Sequence, residues 1–285
     1  MSESGIRTIH SDEITKAVKE MCIAANYTLS KDMKNALRQG KTRETSKLGS
    51  YIMDQLDQNM KLAEEKQIPI CQDTGMAVVF LQIGQDVHVE GNLIEAAVNE
   101  GIRKGYEEGY LRKSVVNDPL LRDNTRDNTP GIIHYEIVAG DKLSITVAPK
   151  GFGSENMSRI VMLKPVDGME GVKKAVLDTV KAAGANACPP MVVGVGIGGT
   201  FEKCAILAKK ALTREVTAHS DIPYIKELEE ELLAKINDLG IGPGGFGGTV
   251  TAVGLNIETY PTHIAGLPVA VNICCHVNRH ITRVL

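Results

Sequence analysis

Apolar residues in the first quarter of the chain recur with the period of a helix. Ile14, Val18 and Cys22 lie four residues apart along the sequence, which is the spacing of an amphipathic helix that packs on a core. The helical pattern extends over residues 11–67, and residues 47–65 form its second predicted helix. Because Cys22 lies on the apolar face, we interpret it as a core residue.

The pattern then changes to that of strands. Residues 77–83 are apolar except for one glutamine, and residues 87–89 follow after a Gly-Gln-Asp turn, which predicts a hairpin. A second hairpin is predicted over residues 132–148, where two apolar runs flank Ala-Gly-Asp. Between the hairpins, residues 92–110 have a helical period. Residues 112–129 are polar and aperiodic, which is typical of a long loop that is either mobile or functional.

The second half of the chain mixes further helices and strands. Helices are predicted at residues 168–183, 201–214 and 222–239, and strands at residues 191–197, 249–258 and 267–275. No linker, internal repeat or low-complexity segment divides the sequence. We therefore predict one α+β domain over residues 1–285, with helices packed around antiparallel or mixed β-sheets.

Composition and charge narrow the possible partners. The chain has 285 residues and a formal net charge of -3, and its Lys and Arg residues are scattered, so it lacks the basic pattern of a nucleic-acid-binding protein. No apolar run is long enough to cross a bilayer, and the N-terminal residues lack the basic and apolar regions of a signal peptide. We expect a cytoplasmic protein whose partners are a small molecule or another protein.

Six cysteines in a chain of this length are too few for a disulfide-stapled fold, so thiols or metal ligands are expected. Cys71 and Asp73 stand two residues apart in the segment 70–75 (Ile-Cys-Gln-Asp-Thr-Gly). In an extended backbone both side chains project from one face, which would place a metal held by the thiolate beside a carboxylate base. The plain alternative is a buried Cys71 followed by an Asx turn from Asp73.

Other cysteines fit the same chemistry. Cys188 precedes two prolines, and a Cys-Pro pair is common at iron–sulfur ligands. Cys274 and Cys275 end the last predicted strand, where they point to opposite faces, so only one could join a shared site, and the pattern does not choose between them. Cysteines this far apart do not match a zinc finger, but they fit a [4Fe-4S] cluster whose open iron is a Lewis acid.

A glycine-rich segment supports a different function. Residues 194–199 (Gly-Val-Gly-Ile-Gly-Gly) follow a predicted strand and precede a helix, as in a dinucleotide-binding turn, which would suit an NAD-dependent oxidoreductase. A second helix then follows where a βαβ unit requires a strand, which argues against this function. The same turn could instead present N–H groups to a carboxylate. Residues 240–248 are interpreted as a tight loop with positive φ, with ligand contact as the open alternative.

Five segments carry a resemblance to a known family: residues 70–75, 151–156 (Gly-Phe-Gly-Ser-Glu-Asn), 187–190 (Ala-Cys-Pro-Pro), 194–203 and 261–279. Together they resemble the class I (iron–sulfur) fumarate hydratases and the related L(+)-tartrate dehydratases, in their α subunit or N-terminal domain. The resemblance covers nearly the whole chain. It implies a hydro-lyase whose α+β fold is the N-terminal-type domain of that family.

The resemblance also implies a catalytic [4Fe-4S] cluster held by Cys71, Cys188 and Cys275. It thereby selects Cys275 where the strand pattern left the choice open. It further implies that Asp73 is the base that removes a proton from carbon. Removal of water from a 2-hydroxy acid needs such a base and help for the leaving hydroxide, which the open iron would provide.

Substrate contacts are implied as well. The resemblance assigns Gln72 and Arg112 to the substrate carboxylates, backbone donors to the turn around Gly153, and a catalytic role to His263 beside the substrate. From the sequence alone, Arg112 could be a solvated loop arginine, and His263 could be a buried histidine with satisfied hydrogen bonds.

The resemblance finally implies a partner. Single-chain members continue beyond the segment that corresponds to Arg279, whereas this sequence ends at Leu285. We therefore expect an α subunit that needs a β subunit for activity, in an αβ heteromer that dimerises further. Fumarate hydratase, which interconverts fumarate and L-malate in the tricarboxylic acid cycle, is the expected activity, and L(+)-tartrate dehydratase is the alternative.

Overall fold

The computed structural model describes residues 5–285, and within them it confirms an α+β fold. The helices are α1 (Ser11–Tyr27), α2 (Lys31–Arg43), α3 (Lys47–Lys66), α4 (Ile94–Glu108), α5 (Phe152–Glu155), α6 (Gly168–Ala183), α7 (Phe201–Ala211) and α8 (Pro223–Asn237). The strands are β1 (Arg7–His10), β2 (Met76–Gly84), β3 (Val87–Glu90), β4 (Ile132–Val138), β5 (Leu143–Lys150), β6 (Arg159–Leu163), β7 (Met191–Gly198), β8 (Ala252–Tyr260), β9 (Leu267–Cys274) and β10 (Ile281–Val284). No helix in this part of the chain is both long enough and apolar enough to cross a membrane.

The chain forms two compact units, each built from separate segments of the sequence. Among the described residues, the first contains 5–30 together with Leu62–Gly151 and Arg279–Leu285, and the second contains Lys31–Lys61 and Phe152–Asn278. The assignment of residues 1–285 to one domain stays a prediction. Each unit has its own four-stranded sheet and its own apolar core.

In the first unit the sheet order is β10-β5-β2-β4, and the central strand β2 is antiparallel to β5 and parallel to β4. Helices α1 and α4 pack against each other, and α1 also packs on β5. The core of this unit contains Val79, Leu81, Ile102 and Ile145, all fully buried. Strands β1 and β3 form a separate parallel pair.

Both predicted hairpins are wrong, although the strands themselves are present. β2 lies between β4 and β5, which therefore do not pair, and β3 pairs with β1 instead of β2. Burial explains the order, because consecutive residues of β2 such as Val78 and Val79 are buried on both faces, which suits a central strand. β4 has exposed apolar side chains, including Ile137, and occupies the edge.

In the second unit the sheet order is β6-β9-β7-β8, with β7 parallel to β8 and antiparallel to β9. Val193 and Val195 of β7 face a core shared with α6 and α8. The alternate residues Gly194 and Gly196 face α7 on the other side of the sheet. The short strands β1, β6 and β10 and the helix α2 were not separately predicted, because four to five residues carry little periodicity and α2 lay within one long helical pattern.

Candidate functional site

The loop before β2 carries the predicted residues Cys71, Gln72 and Asp73. β2 begins only at Met76, so these residues lie in bends and irregular backbone, and the two-residue alternation of a strand does not apply to them. The Cys71 thiol is partly exposed and donates to Gln72 Oε1 at 3.4 Å. Asp73 Oδ1 accepts the N–H of Gly75 at 3.0 Å, which is the Asx turn of the plain alternative.

Buried donors fix the two residues that follow Asp73. The Tyr106 hydroxyl lies 2.8 Å from the Thr74 carbonyl oxygen and 2.9 Å from that of Gly75, and Asn128 Nδ2 donates to the Gly75 oxygen at 3.1 Å. Burial raises the pKa of Tyr106 above its ordinary value, so the hydroxyl remains a donor. The loop that holds Asp73 is therefore anchored by a fully buried side chain of α4.

Arg112 is joined to this loop by its backbone. Thr74 Oγ1 donates to the Arg112 carbonyl oxygen at 2.9 Å, while the residue itself is exposed at the start of the polar loop 112–129. An isolated bridge between Val116 and Asn124 is the only β-pairing the structure records in this loop. The structure thus places the Arg112 backbone next to Thr74 and leaves the residue at the surface. This position is compatible with a substrate contact and with a solvated loop arginine.

The end of β5 lies against the Asp73 loop. A Cβ atom placed on Gly151 would stand 3.0 Å from Asp73 Oδ2, and one placed on Gly75 would stand 2.7 Å from the Lys150 amide nitrogen. Arg279 joins the two segments, since its Nε donates to the Pro149 oxygen at 3.2 Å and its Nη2 donates to the Asp73 oxygen. Glycine at residue 151 therefore leaves the space that the Asp73 carboxylate occupies.

Cys188 and Cys275 belong to the second unit, whereas Cys71 belongs to the first. Cys188 is exposed, has a φ of 51° and follows the 3-10 turn Gly184–Ala187. Its carbonyl oxygen lies 3.0 Å from His276 Nδ1 and also accepts the His276 N–H at 3.4 Å. The Cys188 turn is thus hydrogen-bonded to the residue that follows Cys275.

Exposure divides the six cysteines, all of which are thiols rather than disulfides, into two groups. Cys22, Cys204 and Cys274 are buried, and Cys71, Cys188 and Cys275 are the accessible ones. Burial raises the pKa of Cys22 to about 12, which disfavours the thiolate that binds a metal. Among residues 5–285, no three His, Cys, Asp or Glu side chains form a group that could hold a metal ion, so the three-cysteine ligand set stays a prediction.

The remaining predicted residues are exposed in the second unit. Gly153 lies in the short helix α5, which packs against the 3-10 turn before Cys188 and against β9. His263 is exposed, so it is not the buried histidine of the alternative interpretation, and its Nδ1 accepts the Ala265 N–H at 3.1 Å. Both residues belong to the second unit, whereas Asp73 belongs to the first.

Packing explains the glycines that suggested a nucleotide site. Cβ atoms on Gly194 and Gly196 would stand 2.2 Å from the Ala208 oxygen and 2.0 Å from the Cys204 oxygen, so glycine lets α7 lie directly on β7. The Gly199 amide in the following turn already donates to the Pro261 oxygen at 3.2 Å. The strand β8 is parallel to β7, as the second strand of a βαβ unit would be, but two helices, α7 and α8, lie between β7 and β8 in the sequence. These glycines therefore need no nucleotide to account for them.

The second glycine cluster supports the Cys188 turn. Gly240, Gly242 and Gly247 have positive φ values of 66°, 67° and 82°, as the tight-loop interpretation expects. The Gly244 amide donates to the Pro189 oxygen at 2.8 Å. A Cβ atom on Gly245 would stand 2.3 Å from the Ala185 side chain, so this loop lies in close contact with the segment that carries Cys188.

The comparison with known families covers nearly the whole chain. Residues 15–284 match the family model described as "Fumarate hydratase (Fumerase)". The chain belongs to the fumarate hydratase family. This confirms the resemblance that the five sequence segments suggested.

Relatives within the fumarate hydratase family are named as α subunits. A Methanocaldococcus jannaschii protein, provisionally named L(+)-tartrate dehydratase subunit alpha, is 43% identical over 273 residues, which are 94% of this chain and 95% of the relative. The L(+)-tartrate dehydratase subunit alpha of Escherichia coli (strain UTI89 / UPEC) is 31% identical over 274 residues, covering 95% of this chain and 90% of the relative. The Shigella boydii (serotype 4, strain Sb227) protein of the same name is also 31% identical over 274 residues, with the same coverage.

Three residues of this fumarate hydratase family member have structural roles near the predicted site that the sequence did not suggest. Arg279 and Tyr106 hold the Asp73 loop, and His276 holds the Cys188 turn. Tyr106 could have been suspected because it brings a hydroxyl to the buried face of α4, where the hydroxyl must find a partner. Arg279 is a charged residue just before a strand, and only the tertiary structure shows that it is buried.

Proposed function

We propose that this chain is the α subunit of a two-subunit [4Fe-4S] hydro-lyase, and that its substrate is L(+)-tartrate. The observation that carries the proposal is the match to named α subunits over more than nine-tenths of the chain, at up to 43% identity. A hydro-lyase of the fumarate hydratase family is the shared description. Our proposal goes beyond this family description in three respects: the cluster, the substrate and the role of each residue.

The donor set fits an iron–sulfur cluster. Cys71, Cys188 and Cys275 are the accessible thiols, and the three other cysteines are buried in the cores. Three thiolates are one fewer than a [4Fe-4S] cluster needs for full ligation, and the resulting open iron would supply Lewis-acid chemistry to a hydroxyl group. Cys275 is favoured over Cys274 because Cys274 is only 4% exposed within β9.

The chain's own residues would bind the substrate and move its proton. Asp73 would accept the proton from the carbon next to the one that loses hydroxide, while its second oxygen remains fixed by the Gly75 amide. Gln72 and Arg112, both exposed, would contact the substrate carboxylates, Arg112 by a bidentate pair. Gly153 would offer its backbone N–H, and His263 would act beside the substrate as a second catalytic group.

Two compounds, L(+)-tartrate and fumarate, are the candidate substrates. The names of the relatives favour L(+)-tartrate, whose dehydration gives oxaloacetate, and this reverses the order that the sequence suggested. The family description favours fumarate, whose hydration gives L-malate. In both reactions a C–H and a C–O bond on neighbouring carbons break or form, so one base and one Lewis acid would serve both.

The α-subunit names also support a β-subunit partner, which would complete the active enzyme. Cytoplasmic location is part of the proposal as well, because a reducing compartment keeps cluster ligands as thiols. The tricarboxylic acid cycle would be the context only if fumarate proves to be the substrate. Activity should therefore be measured with both subunits present and under anaerobic conditions.

The test combines metal analysis with substrate turnover. After reconstitution, wild-type αβ enzyme should carry about four irons and four sulfides per α chain, and C71S, C188S and C275S should each lose the cluster. The matched control is C204S, whose buried thiol should be dispensable for iron. A kcat/KM for L(+)-tartrate that exceeds the value for fumarate would support tartrate, and the reverse order would assign fumarate. Iron retained in all three variants would refute the ligand set.

A further inference from the structure

Arg279 is a buried cation to which the proposed function assigns no task. Its side chain is 4% exposed, and it lies two residues before β10. Nε donates to the carbonyl oxygen of Pro149 at 3.2 Å, and Nη2 donates to that of Asp73. One guanidinium therefore holds two segments of the first unit, namely the loop that carries Asp73 and the end of β5.

These two hydrogen bonds constrain where the Asp73 carboxylate can lie. The Asp73 loop and β5 touch so closely that a Cβ atom on Gly75 would be 2.7 Å from the Lys150 amide nitrogen. A Cβ atom on Gly151 would be 3.0 Å from Asp73 Oδ2. The β2–β5 ladder, which ends at the Met76–Lys150 pair, fixes one side of this junction, and Arg279 binds the backbone just beyond it. Arg279 therefore helps to set the space that is open to the carboxylate.

The third nitrogen of the guanidinium, Nη1, indicates that Arg279 does more than stabilise the fold. Nη1 is buried and has no hydrogen-bond partner within residues 5–285. Burying a charge is costly, and an apolar residue of similar size often serves stability as well or better. A planar fork that reaches two carbonyl groups in a fixed geometry is, however, something that arginine provides and lysine or methionine does not.

We propose that Arg279 is a positioning residue for Asp73. It acts through the backbone of Asp73 and Pro149, and it does not touch the substrate, because it is buried. This inference rests on the proposed function, in which Asp73 is the base. A displacement of the base by about 1 Å would lower the rate about 100-fold without weakening substrate binding.

The test uses the reconstituted αβ enzyme with the α-chain variants R279M and R279K. For R279M we expect kcat to fall about 100-fold, with KM within about threefold of wild type and the iron content unchanged. R279K can restore one of the two hydrogen bonds, so its kcat should lie between those of R279M and the wild type. The matched control is R283M on β10, because Arg283 is 40% exposed and pairs with Glu20 away from the loop.

A second readout does not depend on catalysis. The Gly75 amide donates to Asp73 Oδ1 at 3.0 Å, so its hydrogen exchange reports on the loop. In the full α chain, R279M should speed exchange in a peptide spanning residues 73–76 by at least about tenfold, and R283M should leave it at the wild-type rate. This measurement remains valid if the wild-type αβ enzyme turns over neither tartrate nor fumarate, which would refute the proposed function separately.

Several outcomes would overturn the inference. Exchange at residues 73–76 that matches wild type in R279M would do so, as would a kcat within about twofold of wild type. Equal loss of iron in R279M and R279K would show a purely structural role. If R279M does not fold, R279K decides the question: a lower kcat with unchanged KM and iron content supports positioning, and a wild-type kcat contradicts it.

Discussion

The substitution Gly151→Ala tests most directly whether the position of the Asp73 carboxylate matters for turnover. The new Cβ atom would stand 3.0 Å from Asp73 Oδ2, 3.3 Å from its Cγ and 3.8 Å from its Oδ1, and these three atoms are its nearest neighbours. Gly151 is not among the residues with positive φ, so alanine can adopt its backbone conformation. The methyl group would therefore meet the Asp73 carboxylate before any other group.

The expected effect follows from the overlap. An ordinary van der Waals contact for a Cβ atom begins at 3.4 Å, so the carboxylate oxygen must move by about 0.4 Å. If a 1 Å misplacement costs about 100-fold in rate, a 0.4 Å shift on the same logarithmic scale costs about sixfold. Stability should change by less than about 1 kcal/mol, because glycine-to-alanine changes at compatible backbone positions have small effects.

The assay is steady-state turnover of tartrate and fumarate by the reconstituted αβ enzyme. Gly151→Ala should lower kcat about sixfold and leave KM and iron content near wild type. A double-mutant cycle with Asp73→Asn provides the control, because the effect of the added methyl group should vanish once the base is absent. An unchanged kcat, or the same loss in the Asp73→Asn background, would refute the reasoning.

Three further predictions concern packing, charge and thiol exposure. Gly196→Ala should lower the free energy of unfolding of the second unit in urea by about 1–3 kcal/mol or more, because the new Cβ atom would meet the backbone of α7. The matched control Gly266→Ala should change that free energy by less than about 0.5 kcal/mol, because the nearest atom to its Cβ would be 3.9 Å away. Glu44→Gln should cost about 1–3 kcal/mol at pH 7, and unfolding at pH 3 should show a smaller difference from wild type. Iodoacetamide should alkylate Cys188 in the cluster-free chain but not Cys22, as peptide mass spectrometry would show, because burial raises the pKa of Cys22 to about 12.

The sign for Glu44 follows from its surroundings. Burial alone would raise the pKa of this carboxyl, but backbone N–H groups of Ser46, Thr249 and Val250 lower it overall below its ordinary value of 4.5. A group with a lowered folded-state pKa stabilises the fold above its unfolded pKa and loses that contribution as the pH falls through the folded value. A stability difference between Glu44→Gln and wild type that does not change with pH would contradict this assignment of the Glu44 pKa.

Alkylation of Cys22 at the rate of Cys188 would contradict the argument that burial protects the Cys22 thiol.

Local periodicity was sufficient for most secondary-structure elements. The helix predicted at residues 168–183 coincides with α6, and the strand predicted at residues 191–197 is β7, one residue longer. The buried positions of α1, including Val18 and Cys22, also follow the predicted apolar face. Such patterns are readable because each residue's burial is set mainly by which face of its own element it occupies.

Strand pairing could not be predicted in this way. Two apolar runs separated by Ala-Gly-Asp look like a hairpin, yet β2 lies between β4 and β5. The sequence shows that each strand is apolar, but not which of them is buried on both faces. That property depends on the helices that cover the sheet, so it belongs to the tertiary structure.

For the candidate site, the sequence by itself determined the family and the residue types: thiols at 71, 188 and 275, a carboxylate at 73, and the segments around them. Only the tertiary structure decided that Cys275 is accessible where Cys274 is buried, that Gly194 and Gly196 serve helix packing, and that Arg279 binds the backbone of Asp73. The reason is physical, because exposure and contacts between distant residues arise from how the elements pack. No local pattern of one or two residues encodes them.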